Sequence, residues 1–382
     1  MGKETEISII LPCLNEETAI SMCLDSINKV IIEDKLNAEI ILVDNGSTDN
    51  SCKIVREKQA KLKELRLIEE KQRGYGSAYL RGFDQAKGSY IFIADSDGSY
   101  DFSEIPTFIN ELRKGYDFVI GNRFKGKIEK GAMPFSHQHI GNPILSAVLR
   151  LFFKANIRDA HCGMRAITKS ALEKLNLRTT GMEFASEMVI KAAKNNLKIK
   201  ELPINYQKRK GSSKLRSFPD GWRHLRFMLL YCPLFLFFIP GLILFLLGLL
   251  SLLWMYFGKA EVLGIKLYYH PMFLSALLII VGYQLIIFAL FAKTYATTHL
   301  GEKPVFQRLY RHITIEKASI FGIIMTLIGI IIYITIFISW IKSGFSSLQQ
   351  VKNSILALTL IVVGIQTIFS SFMLSILGIK EK

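Results

Sequence analysis

The stretch that decides the fold runs from Ile91 to Asp101 and reads IFIADSDGSYD. Ile91, Phe92, Ile93 and Ala94 form an apolar run that predicts a buried strand, and it stops abruptly at Asp95 and Asp97, two carboxylates spaced i, i+2. In an open α/β sheet, ligands bind at the carboxyl ends of the strands. Two hard carboxylate oxygens there suit Mn²⁺ or Mg²⁺, which takes one or two protein carboxylates and completes its shell with substrate phosphates. A plainer use is an acidic turn ahead of a helix, since Ser103, Glu104 and Ile105 also look like a helix start.

The surrounding segments repeat the same unit. Ile7–Leu11, Ile40–Val43, Leu65–Glu69, Tyr90–Ala94 and Phe118–Ile120 read as strands. Helical patterns lie between them: Glu16 to Val30, Ser47 to Leu62 with Ser47 and Thr48 as caps, Tyr75–Ala86, and Ser103–Lys114. Strands alternating with helices predict a doubly wound, mostly parallel α/β sheet. Leu11–Glu17 (LPCLNEE) then ends the first strand, Val43–Asp49 (VDNGSTD) the second, and Arg73–Ala78 (RGYGSA) opens the third helix. All fall on one rim with the acidic turn. Asp44 and Glu16 suit a base and a ribose, and Gly74 and Gly76 let backbone N–H groups approach phosphates at a helix N-terminus. No G-x-G-x-x-G follows the first strand, which excludes the dinucleotide fingerprint.

The 382-residue chain carries a net charge of +16 and changes character near residue 227. Downstream lie four apolar stretches, Met228–Phe257, Pro271–Phe291, Ala318–Ile341 and Ser354–Leu377, each reaching the roughly 20 residues needed to cross a bilayer. The division predicted is an α/β domain over 1–207, a basic interfacial segment over 208–227 and a four-helix membrane domain over 228–382. Lys208, Arg209, Lys210, Lys214, Arg216, Arg223 and Arg226 precede the first span, and Lys293, Lys303, Arg308, Arg311 and Lys317 lie between the second and third. The other two loops hold only Lys259 and Lys266, then Lys342 and Lys352. The positive-inside bias therefore puts the N-terminal domain, the middle loop and both termini in the cytoplasm. Basic residues that hug membrane segments point to anionic headgroups rather than nucleic acid. No signal peptide is read before Ile7, and the five cysteines (Cys13, Cys23, Cys52, Cys162, Cys232) form no C-x-x-C pair, as suits a reduced compartment. His137, His139, His161 and His224 have no zinc spacing.

LPCLNEE, VDNGSTDNS, RGYGSAYLRGFDQAKG and ADSD, in that order, resemble the nucleotide-sugar domain of glycosyltransferase family 2. Gly121–Phe124 (GNRF), Asp159–Ile167 (DAHCGMRAI), Gly181–Met188 (GMEFASEM) and Lys208–Ser217 (KRKGSSKLRS) resemble its branch that makes dolichyl- or polyprenyl-phosphate sugars. The resemblance spans roughly residues 5–230 and implies a GT-A fold, an inverting metal-dependent transfer, a nucleotide-sugar donor and a polyprenyl or dolichyl phosphate acceptor. It implies that Pro12, Glu16 and Asp44 hold the nucleoside, with Asn15, Asn45, Gly74 and Gly76 completing that site. Asp95, Ser96 and Asp97 would take ribose and diphosphate, with the metal on Asp95 and Asp97. Arg123, Lys208, Arg209, Ser213 and Lys214 would meet the lipid phosphate, so that Asp95, Asp97 and Arg123 carry the chemistry. Two departures stand out. The mannose branch usually reads DADLQ, and Ser99 here replaces the glutamine near the metal, so the DSDGSYD wording lies closer to glucosyltransferase-type relatives. The branch also places an arginine where this chain has Lys208, with Arg209 beside it.

A lipid phosphate is already an anionic nucleophile and needs no general base, whereas a hydroxyl acceptor does. Glu183 and Glu187 are the carboxylates available for that role, without the adjacent aspartate common in hydroxyl-acceptor members; structure or acceptor orientation is the favoured reading of both. Arg123 read plainly is a surface salt bridge, and Asp159 with Arg165 reads as a buried ion pair. Trp222, Phe218, Leu225 and Phe227 among the basic residues suit an interface with lipid. The competing classes are a processive or hydroxyl-acceptor membrane glycosyltransferase, of which the processive synthases typically show Q-x-x-R-W and helices before the catalytic domain, neither of which is read here, and a non-enzymatic membrane scaffold.

Overall fold

Strand β1 (Ile7–Cys13) has consecutive residues Ile7, Ser8, Ile9, Ile10 and Leu11 fully buried. Alternate side chains of a strand point to opposite faces, so both faces of the sheet are covered at its centre. The computed structural model describes residues 5–153, 155–211, 217–230, 232–258, 261–262, 265–299, 314–346 and 348–378. It divides into two compact units, Met1–Met228 and Leu229–Lys382.

The first unit is a seven-stranded sheet of order β3-β2-β1-β4-β6-β5-β7. β2 (Ala38–Asp44), β3 (Leu65–Glu69) and β4 (Tyr90–Ile93) run parallel with β1, and β5 (Phe118–Asn122) runs parallel with β7 (Ile199–Pro203). β6 (Arg165–Thr168) inserts between β4 and β5, antiparallel to both. The helices of this unit are α1 (Ile20–Glu33), α2 (Ser51–Gln59), α3 (Tyr75–Gln85), α4 (Ile105–Arg113), α5 (Asn142–Phe153), α6 (Lys169–Leu175), α7 (Phe184–Lys194) and α8 (Ser217–Leu230), the last running past the boundary to Leu230. The mostly parallel α/β architecture is the one expected.

β6 matters to function through its direction. Its first residue, Arg165, pairs with Ile93, the last of β4. The segment entering β6 therefore meets the segment leaving β4, and Gly163 comes to rest against Asp95. β7 does the same on the far side, because Pro203 pairs with Asn122 and the chain then crosses back toward the acidic turn.

Two helix starts differ from the sequence expectation. α2 begins at Ser51 rather than Ser47, because Ser47 and Thr48 are engaged elsewhere: Ser47 Oγ accepts from the Asn15 N–H at 2.9 Å and the Thr48 N–H donates to Asn15 Oδ1 at 2.7 Å. They tie two loops together instead of capping a helix. Before α4, a 3₁₀ turn over Phe102–Glu104 is capped by Asp101, whose Oδ1 accepts from the Ser103 N–H at 3.0 Å.

In the second unit four helices are long and apolar enough to cross a membrane: Leu234–Phe257, His270–Thr298, Ile315–Lys342 and Val351–Gly378. They lie in α9 (Ile239–Phe257, preceded by a π turn at Leu234–Phe238), α10 (His270–His299), α11 (Ile315–Lys342) and α12 (Val351–Gly378). Glycines bring them together in pairs. A Cβ on Gly241 would lie 2.8 Å from Gly282 O, and one on Gly322 would lie 2.7 Å from Gly364 O, so these backbones approach as small residues allow in lipid. Tyr283 to Thr367 (2.7 Å) and Gln366 to Gln284 (2.9 Å) join α10 to α12.

Candidate active site

The acidic turn follows β4 directly. Gly98 takes φ +78°, which only glycine adopts freely, and turns the chain so that Asp97 faces inward, 5 % exposed. Asp97 Oδ1 accepts from the Ser99 N–H at 2.9 Å and from the Ser99 hydroxyl. Its Oδ2 lies 2.8 Å from Arg209 Nη2, which also reaches Glu16 Oε1 at 3.5 Å. Asp95 is held from the other side: Tyr75 donates its phenol hydrogen to Oδ1 at 2.9 Å. A Cβ on Gly163 would stand 2.5 Å from Asp95 Oδ2, so a side chain there would have to displace the Asp95 carboxylate. Burial, then the neighbouring Asp97 carboxylate, pushes the Asp95 pKa up to about 6, while Tyr75, Arg209 and Arg123 pull it down.

The other rim residues converge through hydrogen bonds. The Ser96 hydroxyl donates to Pro12 O at 2.6 Å, joining the ends of β4 and β1. Asn15 adopts φ +53° and clasps Ser47 and Thr48, and the Glu16 N–H donates to Ser51 Oγ at 2.8 Å. Asp44 accepts from the Gly46 N–H at 3.1 Å. Asn45 gives its amide to Glu70 O and Gln72 O and accepts the Gly74 N–H at 2.7 Å. The Gly74 N–H is thus directed at a side chain. Both loop glycines accommodate protein backbone: a Cβ on Gly74 or Gly76 would lie 2.2 Å from Thr180 O or Thr179 O.

Arg123 is not a surface ion pair. Asp159, fully buried, accepts from Arg123 Nε at 2.8 Å, from Nη2 at 2.7 Å and from the Arg123 N–H at 3.0 Å. Burial works against the guanidinium charge, but Asp159 overrides it and holds the pKa above the ordinary arginine value. The expected Asp159–Arg165 pair does not form. Arg165 instead donates to the carbonyls of Cys162, Ala185 and Ala160 at 2.8, 3.0 and 2.9 Å. The separation follows from β6: Arg165 is its first residue, while Asp159 precedes the strand beside the end of β5, where Arg123 sits.

Lys208 is exposed, with its N–H on Glu129 Oε2 at 2.8 Å. Ser213 and Lys214 lie outside the described residues. Glu187, fully buried, accepts from the N–H groups of Arg178 and Thr179 and from the Thr179 hydroxyl, and pairs with Lys191 at 2.7 Å. Burial raises its pKa but these bonds win and lower it. Glu187 therefore fixes the 178–180 segment that presses on Gly74 and Gly76. Glu183 folds its carboxylate over Gly181 at the start of α7. His161, Ser186 and His224 form a chain, with Ser186 Oγ 3.2 Å from His161 Nε2 and 2.9 Å from His224 Nδ1.

Tyr75 is the contributor that reading for motifs passes over, and Asp159 takes Arg123 rather than Arg165 as its partner. The flanking glycines were the only signal for Tyr75, and they mark a residue held tightly at a helix entrance.

Two carboxylates at a buried turn, with no third His, Cys, Asp or Glu gathered into a metal cluster among the described residues, form a donor set that leaves most of a divalent ion's shell to substrate oxygens. The Arg209 guanidinium between Asp97 and Glu16 shows that this place draws positive charge.

Residues 8–176 match the family described as Glycosyl transferase family 2, and residues 290–378 match the Glycosyltransferase family 2 C-terminal transmembrane region. The low-salt glycan biosynthesis hexosyltransferase Agl6 of Haloferax volcanii is 37% identical over 374 residues, covering 97% of this chain and 89% of that protein. The dolichyl-phosphate hexose transferase of the same organism is 30% identical over 219 residues, 56% of this chain and 89% of its own length. The dolichyl-phosphate beta-glucosyltransferase of Saccharomyces cerevisiae is 30% identical over 237 residues, 55% of this chain and 69% of its own. With the family match running from β1 to α6 and the Agl6 similarity along nearly the whole length, this chain belongs to glycosyltransferase family 2.

Proposed function

We propose that the protein transfers one hexose, with inversion, from a UDP- or GDP-linked sugar to polyprenyl or dolichyl phosphate at the cytoplasmic face of a membrane. The observation that carries this reading is the Asp95–Asp97 pair, which leaves β4 on the same rim as Pro12, Glu16, Asp44 and Asn45 and lies within electrostatic reach of Arg123 and Arg209. Hexose and dolichyl phosphate are the substrates in the relatives' names, and they fit this chemistry.

The residues divide the work by charge. Asp44, Glu16 and the Pro12 turn receive the nucleoside. Asp95 and Asp97 would hold Mn²⁺ or Mg²⁺, which neutralises the charge that develops on the departing diphosphate. Tyr75 keeps Asp95 Oδ1 oriented and Ser99 does the same for Asp97 Oδ1. Arg123, Lys208, Ser213 and Lys214 receive the acceptor phosphate, whose oxygen attacks the anomeric carbon without a base. Glu187 supports that choice, since backbone N–H groups, a hydroxyl and Lys191 consume its oxygens and leave it poorly suited to deprotonate an alcohol.

Four membrane spans and the basic residues flanking them support a cytoplasmic catalytic unit. Exposed Phe135, Ile140, Ile144 and Leu151, in a segment that also carries Lys130 and Arg150, suit contact with headgroups. The test is to incubate detergent-purified full-length protein with Mn²⁺, polyprenyl phosphate and a panel of UDP- and GDP-sugars, and to read the lipid fraction by mass spectrometry. One lipid-phosphate hexose, absent with folded Asp97→Asn, is expected. Sugar transfer to a hydroxyl acceptor in its place overturns the reading.

A further inference from the structure

We propose that Arg209 is the resident counter-cation of the acidic turn, and that a divalent metal enters only by displacing its guanidinium from Asp97. This rests on the metal-dependent reading above and assigns Arg209 to the donor side, away from the acceptor phosphate.

The segment that carries Arg209 is strapped across the acidic turn. The Gln207 N–H donates to Ser99 O and the Lys210 N–H donates to Asp97 O, both at 2.9 Å, and Tyr206 forms a β-bridge with Tyr100. Thr18 Oγ1 donates to Lys210 O at 3.3 Å, which pins the strap to the β1 loop. The backbone thus delivers Arg209 to the turn, with its side chain about a quarter exposed at 24 %.

Its position there occupies the Asp97 oxygen that a metal would use. Asp97 Oδ1 is already filled by Ser99, and the remaining oxygen, Oδ2, is the one on Arg209 Nη2 at 2.8 Å. An ion coordinated by Asp97 would have to use that oxygen. The grip is nonetheless single-toothed. Nη2 serves both Asp97 and Glu16, the Glu16 distance is 3.5 Å, and the buried Nε has no hydrogen-bond partner. A guanidinium held by one nitrogen gives up the planar fork that makes arginine–carboxylate pairs strong. Arg209 is therefore seated by charge more than by geometry, and it yields to a larger charge.

Asp97 and Glu16 both reach this guanidinium and Asp95 lies within its electrostatic reach, so taking its charge away from the buried turn is costly. With a divalent ion on Asp95 and Asp97, Arg209 becomes surplus and repelled. The anion that best receives it is the diphosphate bound alongside. The metal alone must break the Arg209–Asp97 contact without recompense, whereas metal and nucleoside diphosphate together replace it, so the two bind cooperatively, each raising the affinity for the other by the same factor.

The experiment is a Mn²⁺ titration of the full-length protein in detergent, with free Mn²⁺ read by electron paramagnetic resonance and folding checked by circular dichroism. Arg209→Gln is expected to bind Mn²⁺ about tenfold more tightly than wild type, the equivalent of one charge-assisted hydrogen bond. Arg209→Lys retains the wild-type affinity, and Lys130→Gln, which removes the same charge from an exposed site, leaves it unchanged. Equal or weaker binding in Arg209→Gln overturns the proposal. If that variant does not fold, the wild type alone decides: UDP or GDP should raise its Mn²⁺ affinity about tenfold, and no gain overturns the proposal. Mn²⁺ binding without the Arg209 effect refutes only this inference. No Mn²⁺ binding at all, even with UDP and GDP present, refutes the metal-dependent function with it.

Discussion

Replacing Asp159 with alanine should strand a buried guanidinium and unfold the catalytic unit at a much lower temperature. The Arg123 and Asp159 side chains are 7% and 0% exposed, and the carboxylate accepts three donors from the one arginine. Removing one partner of such a pair costs about 4 kcal/mol, because the other charge stays out of water. The Tyr206 ring, 5.2 Å from the Arg123 guanidinium carbon, is unaffected by the change and offsets none of that loss. For a domain of this size the cost corresponds to a fall in Tm of roughly 8–16 °C. A thiol-reactive dye can follow the transition, since Cys13, Cys23 and Cys162 are buried in the catalytic unit and burial pushes each thiol up to about 12. Asp159→Leu with Arg123→Met removes both charges and should recover more than half of the loss. A fall of less than about 2 °C for Asp159→Ala would refute the reasoning. It would mean that the guanidinium reaches water or another anion. The folded double variant also reports on chemistry: loss of transfer assigns Arg123 to the acceptor phosphate, and retained transfer makes the pair structural.

Three further outcomes are expected. Tyr75→Phe keeps the ring against Tyr79 and Phe184 but removes the hydroxyl that orients Asp95, and should lower kcat about tenfold with Tm nearly unchanged; an unaltered kcat in steady-state assays would remove Tyr75 from the site. Gly76→Ala places a methyl 2.2 Å from Thr179 O, a carbonyl that Glu187 holds through the neighbouring N–H, and should cost about 2 kcal/mol in the dye melt. His161 is kept neutral by burial and by His224, Arg165 and Arg123, so its pKa lies well below that of the unfolded chain. The unfolded state then binds the extra proton, so this contribution is complete above about pH 6.5 and is lost as pH falls through the depressed folded value. Melts recorded from about pH 7.5 to about pH 5 should show that slope in wild type and a flatter one in His161→Gln.

The parts legible in the sequence are those whose signals are local. β1, β2 and β4 are apolar runs closed by polar turns, and the four spans follow from length and hydropathy. β6 and β7 were not foreseen. β6 is four residues long and opens on an arginine, and β7 (IKELP) is a half-buried edge strand ending in proline, so neither shows the alternation that marks a strand. Charge pairing was equally opaque. Asp159 and Arg165 are six residues apart, yet the partner chosen lies 36 positions away.

By itself the sequence determined the alternation of strands and helices, the rim of polar turns, the acidic pair and the membrane spans, because each depends on residues within one or two turns of the chain. Only the tertiary structure decided what that rim does with its charges. The antiparallel β6 brings Gly163 to Asp95, the path after β7 seats Arg209 on Asp97, and Glu187 holds the backbone that positions Tyr75. These contacts follow from strand order and direction, and a charge buried by the fold takes whichever opposite charge the fold brings near it.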